Sequence, residues 1–299
     1  LPVDYNELKK GGFLKQKQKD MYSMRLRSIG GNLTAEQLRS VAELADKYGR
    51  GYVHVTTRQG VEIPWVHIEN YDRIQREIRA LGLTPGTCGP RIRTVIACPG
   101  NEICNFGLVD ARGMAEILDA TFFGREVPMK TKLAVSGCPN SCAKPQENDL
   151  GFVGAVEPVY RHELCIGCGL CAEVCPGKAI TMQDGHPVLE TANCLHEGNC
   201  ISSCPVDAWV PGRQGYHTYA GGKIGRRPQL GVKVAEFVQE GQVVPLVEAA
   251  LQVFKTLGKT HERLADTINR VGAEEFTRQL HQEWAQGQDD GQWEEAANS

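Results

Sequence analysis

The chain has 299 residues, 41% of them hydrophobic, with 33 lysines and arginines against 36 aspartates and glutamates. That length suggests about two domains with buried cores, and a formal charge of −3 gives no basic excess of the kind a nucleic-acid partner requires. No apolar run is long enough to span a membrane and the Lys-rich first residues lack the apolar core of a secretion signal, so a soluble cytoplasmic protein with no membrane role is expected.

Residues 22–27 have the character of a strand. Thr34 with Gln37 three positions on forms a capping box that opens a helix. Gly49 stands where a helix C-terminus favours positive φ. Strands at 52–56 and 61–66 and a helix at 71–80 follow, and the order β-α-β-β-α is that of a split βαβ unit. Residues 1–88 are therefore expected to form a ferredoxin-like α+β module.

Further along, strands at 91–97 and 130–136 flank a helix at 109–122, and each strand runs into a cysteine pair, Cys98/Cys104 and Cys138/Cys142. This predicts both pairs on loops at one end of a sheet. Residues 161–211 become dense in Cys, Gly and Pro, as in a small module held by its metal centres rather than by a core. They are taken as an insertion dividing a second domain into 89–160 and 212–299. Residues 215–230 are rich in Gly and Arg, 243–257 and 262–280 have helical periodicity, and the polar, acidic tail 282–299 is expected to fray.

Twelve cysteines, bunched rather than scattered, point to metal ligation in place of a disulfide framework. The run Cys165, Cys168, Cys171, Cys175-Pro176 has the spacing of half a bacterial two-cluster ferredoxin, in which the fourth thiolate serves the neighbouring cluster. A zinc knuckle is the alternative. Cys194, Cys200 and Cys204-Pro205 supply a second half. Crossed ligation then assigns Cys165, Cys168, Cys171 and Cys204 to one [4Fe–4S] cluster and Cys175, Cys194 and Cys200 to another, where Glu197 stands in place of the remaining thiolate. A carboxylate is a harder ligand for iron, so the second site is expected to hold a Glu-ligated [4Fe–4S] cluster, a [3Fe–4S] cluster or nothing stable, with Glu197 as a solvated loop residue the other reading. Cys88, in Thr87-Cys88-Gly89-Pro90, is left over and taken as structural, and the scattered histidines are given no role.

The segments Cys98-Pro-Gly-Asn-Glu-Ile-Cys104 and Ser136-Gly-Cys138-Pro-Asn-Ser-Cys142 match the four-cysteine motif of sirohaem sulfite and nitrite reductases. Arg25-Leu-Arg27 with Gly30-Gly31, Thr56-Thr57-Arg58-Gln59-Gly60, Lys130-Thr-Lys132 and the stretch 221–227 resemble the same family. The likeness is greatest to compact, single-repeat enzymes related to dissimilatory and anaerobic sulfite reductases that carry a ferredoxin insert. The resemblance implies that the four cysteines hold a [4Fe–4S] cluster, with Cys142 also the axial ligand of a sirohaem. It implies an electron-donor protein or subunit as partner and reduction of sulfite by six electrons.

Basic residues also recur two apart, at Arg25/Arg27, Arg91/Arg93 and Lys130/Lys132, a spacing that shares one face of a strand. Lys130, Lys132 and Arg93 are assigned to sulfite, joined by one of Arg25 and Arg27. Thr57, Arg58, Gln59, Arg226 and Arg227 are assigned to the haem, its carboxylates suiting guanidinium forks. A single copy of each motif, where larger relatives carry two, predicts a homo-oligomer built on two-fold pairs, in which Lys130 and Lys132 or Arg25 and Arg27 would reach the haem of a neighbouring chain. The alternatives are a nitrite reductase, a non-catalytic iron–sulfur carrier, and a related subunit that has lost its haem.

Overall fold

The computed structural model describes residues 4–289. The chain begins with a short helix α1 (Tyr5–Lys10) and strand β1 (Phe13–Lys15). Next come β2 (Met21–Leu26), α2 (Ala35–Tyr48), β3 (His54–Val55), β4 (Val61–His67) and α3 (Tyr71–Ala80). The four strands form an antiparallel sheet in the order β1-β2-β4-β3, so the split βαβ order is present with β1 added at one edge. Alternation along β2 turns Tyr22, Met24 and Leu26 inward onto Ile63, Ile74 and Ile78 and leaves Ser23 and Arg25 on the other face. Each such buried side chain contributes about 1.5–3 kcal/mol. The capping box of α2 is complete, with Thr34 Oγ1 accepting from the Gln37 N–H and Gln37 Oε1 accepting from the Thr34 N–H. Gly49, however, has φ −106°; it is small because a Cβ there would lie 2.8 Å from the Pro64 carbonyl oxygen, and the positive φ falls at Gly51.

The second sheet is built from β5 (Ile96–Ala97), β6 (Leu133–Ser136) and β7 (Leu150–Tyr160), with α4 (Ala111–Phe122) between the first two. Strands β5, β6 and β7 are parallel, which puts the carboxyl ends of β5 and β6, and the cysteine pairs that follow them, side by side. Both strands are shorter than their sequences suggest. Residues 91–95 and 130–132 make only isolated bridges, Arg91 to Glu126 and Ile92 to Thr131, and the basic pairs accordingly lie on irregular backbone before the strands.

Beyond β7 the chain makes α5 (Leu170–Glu173), the hairpin β8 (Ile180–Gln183) and β9 (His186–Leu189), and α6 (Asn199–Ser202). It re-enters the large sheet as β10 (Trp209–Ala220), whose Trp209 pairs with Tyr160 of β7. The cysteine-dense segment therefore replaces the turn of an antiparallel hairpin, a place where an insertion leaves the parent sheet intact. Strand β11 (Val232–Val238) completes the order β11-β10-β7-β6-β5. Helices α7 (Glu240–Leu257), α8 (Leu264–Val271) and α9 (Ala273–Asp289) follow. One core of Leu118, Phe122, Phe152, Tyr216, Leu246 and Phe254 joins this sheet to α4 and α7. The helix expected at 262–280 is two, broken at Gly272 with φ +95°. Residues 282–289, expected to fray, continue α9, and the rest of that tail lies outside the described residues. No helix among the described residues is long and apolar enough to cross a membrane.

Candidate active site

Between the two sheets lies a cavity of about 220 Å³ whose wall includes Arg25, Arg58, Arg93, Lys130 and Lys132. Five cations from four separate segments repel one another, and each needs a reason to stay. Arg25 donates to Glu62 Oε1 from Nε at 2.8 Å and from Nη2 at 2.6 Å, and its Nη1 reaches Cys88 Sγ at 3.5 Å. Arg93 is held by the carbonyls of Thr87 and Gly89. Arg58 donates to Asn148 Oδ1 at 2.7 Å and to the Thr94 carbonyl at 3.1 Å.

The two lysines differ: neither side chain makes an ion pair or hydrogen bond among the described residues. Burial lowers the proton affinity of Lys130, and the charges of Arg263 and Arg93 lower it further. At Lys132 burial, then Arg58 and Arg263, bring the pKa down to about 8 against the opposing pull of Asp149. Burial likewise lowers Arg58 to about 10. Two unpaired, partly desolvated ammonium groups facing a cavity would favour an anion there.

The remaining basic candidates lie elsewhere. Arg27 points away from this cavity and lines a neighbouring one. Its Nε donates to Asp119 Oδ2 at 2.5 Å and its guanidinium lies 4.3 Å from the Phe123 ring centroid. Asp119 is fully buried, and its other oxygen accepts from the Val95 N–H at 2.8 Å. Arg27→Met would strand that carboxylate and is expected to lower stability by about 3–5 kcal/mol, measurable by chemical denaturation. A loss below about 1 kcal/mol, the range of a surface pair, would show that Arg27 is not needed there.

Arg91 pairs with Glu126 at 3.0 Å. Gln59 has both ends of its amide engaged by Ala97, accepting at 3.0 Å and donating at 2.7 Å; it docks the 56–60 turn onto the strand leading to Cys98. Thr57 lines the cavity. Arg226 and Arg227 are exposed on the β10–β11 loop, outside the cavity wall and without hydrogen-bond or ion-pair partners among the described residues.

Cys98, Cys104, Cys138 and Cys142 are free thiols. Burial pushes the Cys138 thiol up, and charge on Cys98, Cys104 and Cys142 would push it further, so the four sulfurs share one neighbourhood. Cys98 Sγ accepts from the Gly137 N–H at 3.0 Å. Gly100 and Gly137 let the two loops approach, a Cβ on Gly137 falling 3.0 Å from Gly100 Cα. Ser141 and Lys144, both at positive φ, form a tight turn that leaves Cys142 exposed. Asn148, whose Oδ1 takes the Arg58 bond, donates from Nδ2 to the Lys144 carbonyl at 2.9 Å, so one amide joins the basic cavity to the turn carrying Cys142.

The inserted segment has internal two-fold likeness. Gly169 and Gly198, at φ +77° and +78°, open α5 and α6. Sulfurs at matching positions accept matching N–H bonds, Cys165 from Gly167 and Cys194 from His196 at 3.4 Å, and Cys175 from Ala179 at 3.3 Å and Cys204 from Ala208 at 3.2 Å. Cys165, Cys168, Cys171 and Cys204 line one small cavity of about 20 Å³. Cys175, Cys194, Cys200 and Glu197 line the other, also of about 20 Å³. Burial raises the Glu197 pKa and pushes Cys200 up to about 12.

Residues 88–287 match the family described as the nitrite and sulphite reductase 4Fe-4S domain, and residues 14–81 match the nitrite/sulfite reductase ferredoxin-like half domain. The chain belongs to the sirohaem and iron–sulfur family of nitrite and sulphite reductases. A coenzyme F420-dependent sulfite reductase of Methanocaldococcus jannaschii is 33% identical over 87% of this chain and 42% of its own length. The chain thus spans less than half of that relative. An anaerobic sulfite reductase subunit of Salmonella typhimurium is 27% identical over 74% of this chain and 71% of its own. The crystal structure of dissimilatory sulfite reductase I shares the fold, with a TM-score of 0.69 at 21% identity over 87% of this chain and 69% of that one.

The donor set fits the family's groups. Four unpaired thiols on glycine-packed loops suit a [4Fe–4S] cluster, and a cationic cavity beside them suits a polycarboxylate macrocycle and an anionic substrate. Sequence reasoning missed Ser28, Thr87 and Thr94 in the cavity wall, and Asn148, Asp149 and Arg263 behind it. An Asn-Asp pair directly before the apolar run of β7 was the available signal, since polar residues entering a buried strand need partners.

Proposed function

We propose that this protein is the catalytic unit of a sulfite reductase, reducing sulfite to sulfide with electrons delivered through the inserted segment. The observation that carries the reading is the convergence of Lys130, Lys132, Arg93, Arg25 and Arg58 on one cavity, with both lysines unpaired, joined through Asn148 to the turn of Cys142. Cys98, Cys104, Cys138 and Cys142 would hold a [4Fe–4S] cluster next to the sirohaem, and together these groups would supply the electron transfer and the metal centre for sulfur. Arg58 and Thr57, and from the exposed loop Arg226 and Arg227, are the residues that would hold the haem carboxylates.

Lys130, Lys132, Arg93 and Arg25 hold the sulfite oxygens. Each S–O bond that breaks releases an oxygen that must take up protons and leave as water. Lys132, with its pKa near 8, carries charge to bind the anion at neutral pH and gives up a proton more readily than an ordinary lysine. Arg93, fixed by the carbonyls of Thr87 and Gly89, keeps the anion oriented.

In this reading residues 1–88 form the ferredoxin-like module, 89–160 with 212–299 the sirohaem domain, and 161–211 a ferredoxin insert. The insert carries one [4Fe–4S] cluster on Cys165, Cys168, Cys171 and Cys204 and a second on Cys175, Cys194, Cys200 and Glu197. A separate donor protein reduces the insert, and the chain works in the cytoplasm as a homo-oligomer built on two-fold pairs.

Dye oxidation by the anaerobically purified protein tests the reading: faster oxidation with sulfite than with nitrite supports it, and the reverse order makes the enzyme a nitrite reductase. Glu197 has its own test. Glu197→Cys is expected to give an ordinary four-thiolate site with an altered redox potential and paramagnetic resonance signal, and Glu197→Ala a three-iron cluster. Identical spectra for the three proteins would mean that Glu197 does not touch iron.

A further inference from the structure

Asp149 sits fully buried where β7 begins, and nothing in the proposed chemistry uses it. Its Oδ2 accepts from the Lys132 backbone N–H at 2.9 Å, and both its oxygens accept from Arg263 Nη2, at 2.8 and 2.7 Å. Leu150, the next residue, donates its N–H to the Lys132 carbonyl at 3.1 Å. Lys132 is thereby clamped on both sides of its own peptide unit by Asp149 and Leu150. On the other side, Asn148 holds Arg58 at 2.7 Å and the Lys144 carbonyl at 2.9 Å. Two adjacent side chains thus brace a lysine wall, an arginine wall and the Cys142 turn.

We propose, resting on the sulfite-binding reading above, that Asn148 and Asp149 are positioning residues of the anion cavity. Asp149 sets the place and charge state of Lys132, and Asn148 sets the direction of Arg58. A buried ion pair is a weak source of net stability, since desolvation consumes most of its attraction. A carboxylate surrounded by cavity cations is instead explained by what it does to them. The groups around Lys132 are Arg58 from the 56–60 turn, Arg263 at the start of α8, Lys130 on its own segment and Asp149, and of these only Asp149 is negative. Removing its charge leaves Lys132 among cations alone.

Sulfite binding to the sirohaem-loaded protein, followed by the change in its visible absorption across neutral and alkaline pH, tests the proposal. Asp149→Asn keeps the shape and an acceptor for the Lys132 N–H. It is expected to move the alkaline loss of sulfite affinity to lower pH, so that binding weakens several-fold on the alkaline side. Asn148→Ala carries no charge; it should weaken sulfite to a similar degree with the pH midpoint unmoved and should shift the absorption bands, because the Cys142 turn loses a brace. Wild-type affinity and pH midpoint in a folded Asp149→Asn protein would overturn the role of Asp149. If that variant does not fold, wild-type affinity and bands in Asn148→Ala would overturn the proposal for the pair. Absence of any sulfite response in the unmodified protein would instead sink the sulfite reading, and the positioning roles with it.

Discussion

Cys142→Ser is expected to abolish sulfide production and to remove the haem-coupled cluster. A serine hydroxyl keeps its proton far above neutral pH and is a hard ligand, whereas iron–sulfur centres are held by soft thiolates. The position has no substitute. Cys98, Cys104 and Cys138 are partly or fully buried behind the sheet ends, and Cys142 alone of the four is exposed, on a left-handed turn held by Ser141 and Lys144. Iron and sulfide content, the visible spectrum and paramagnetic resonance of the purified variant report the loss independently of turnover. Wild-type turnover with an unchanged haem spectrum would defeat the assignment of Cys142.

Lys132→Ala and Lys130→Ala should leave both cofactors bound and impair reduction severely. Charge-assisted contacts to a desolvated anion are worth on the order of 2–4 kcal/mol, or roughly 30- to 1,000-fold in rate. Lys132 should also leave a mark on the pH profile. Its pKa is depressed, to about 8, so it is charged below that pH and loses its proton as the pH rises through it. Sulfite affinity should therefore decline on the alkaline side from about pH 8, and Lys132→Ala should flatten that limb while lowering the plateau. Unchanged kinetics in both variants would return the lysines to the role of a solvated surface. Mixing inactive Cys142→Ser chains with Lys132→Ala chains tests the sharing of sites: the bond from Arg58 through Asn148 to the Cys142 turn lies within one chain, and no restored activity is expected.

The sequence by itself determined the elements whose causes are local. Helix α3 has the predicted bounds and the capping box of α2 forms as read, because both depend on contacts within a few residues. The cysteines of the inserted segment line two small cavities, Cys165, Cys168, Cys171 and Cys204 one of them and Cys175, Cys194 and Cys200 the other. Glu197 lines the second of these cavities.

Tertiary structure decided which basic residues face the cavity. Spacing alone would put Arg25 and Arg27 on one strand face, and likewise Arg91 and Arg93, yet β2 ends at Leu26 and in each pair the outcome follows from an acid elsewhere. Arg27 is drawn off by Asp119, 92 positions away, and Arg91 by Glu126, 35 positions away. Strand β1 went unseen because a three-residue edge strand has too little alternation to register. Asp149 and Arg263, 114 positions apart, show the same limit: periodicity reveals which face a side chain takes, while the partner that claims a charge is set by which distant segments the fold brings alongside it.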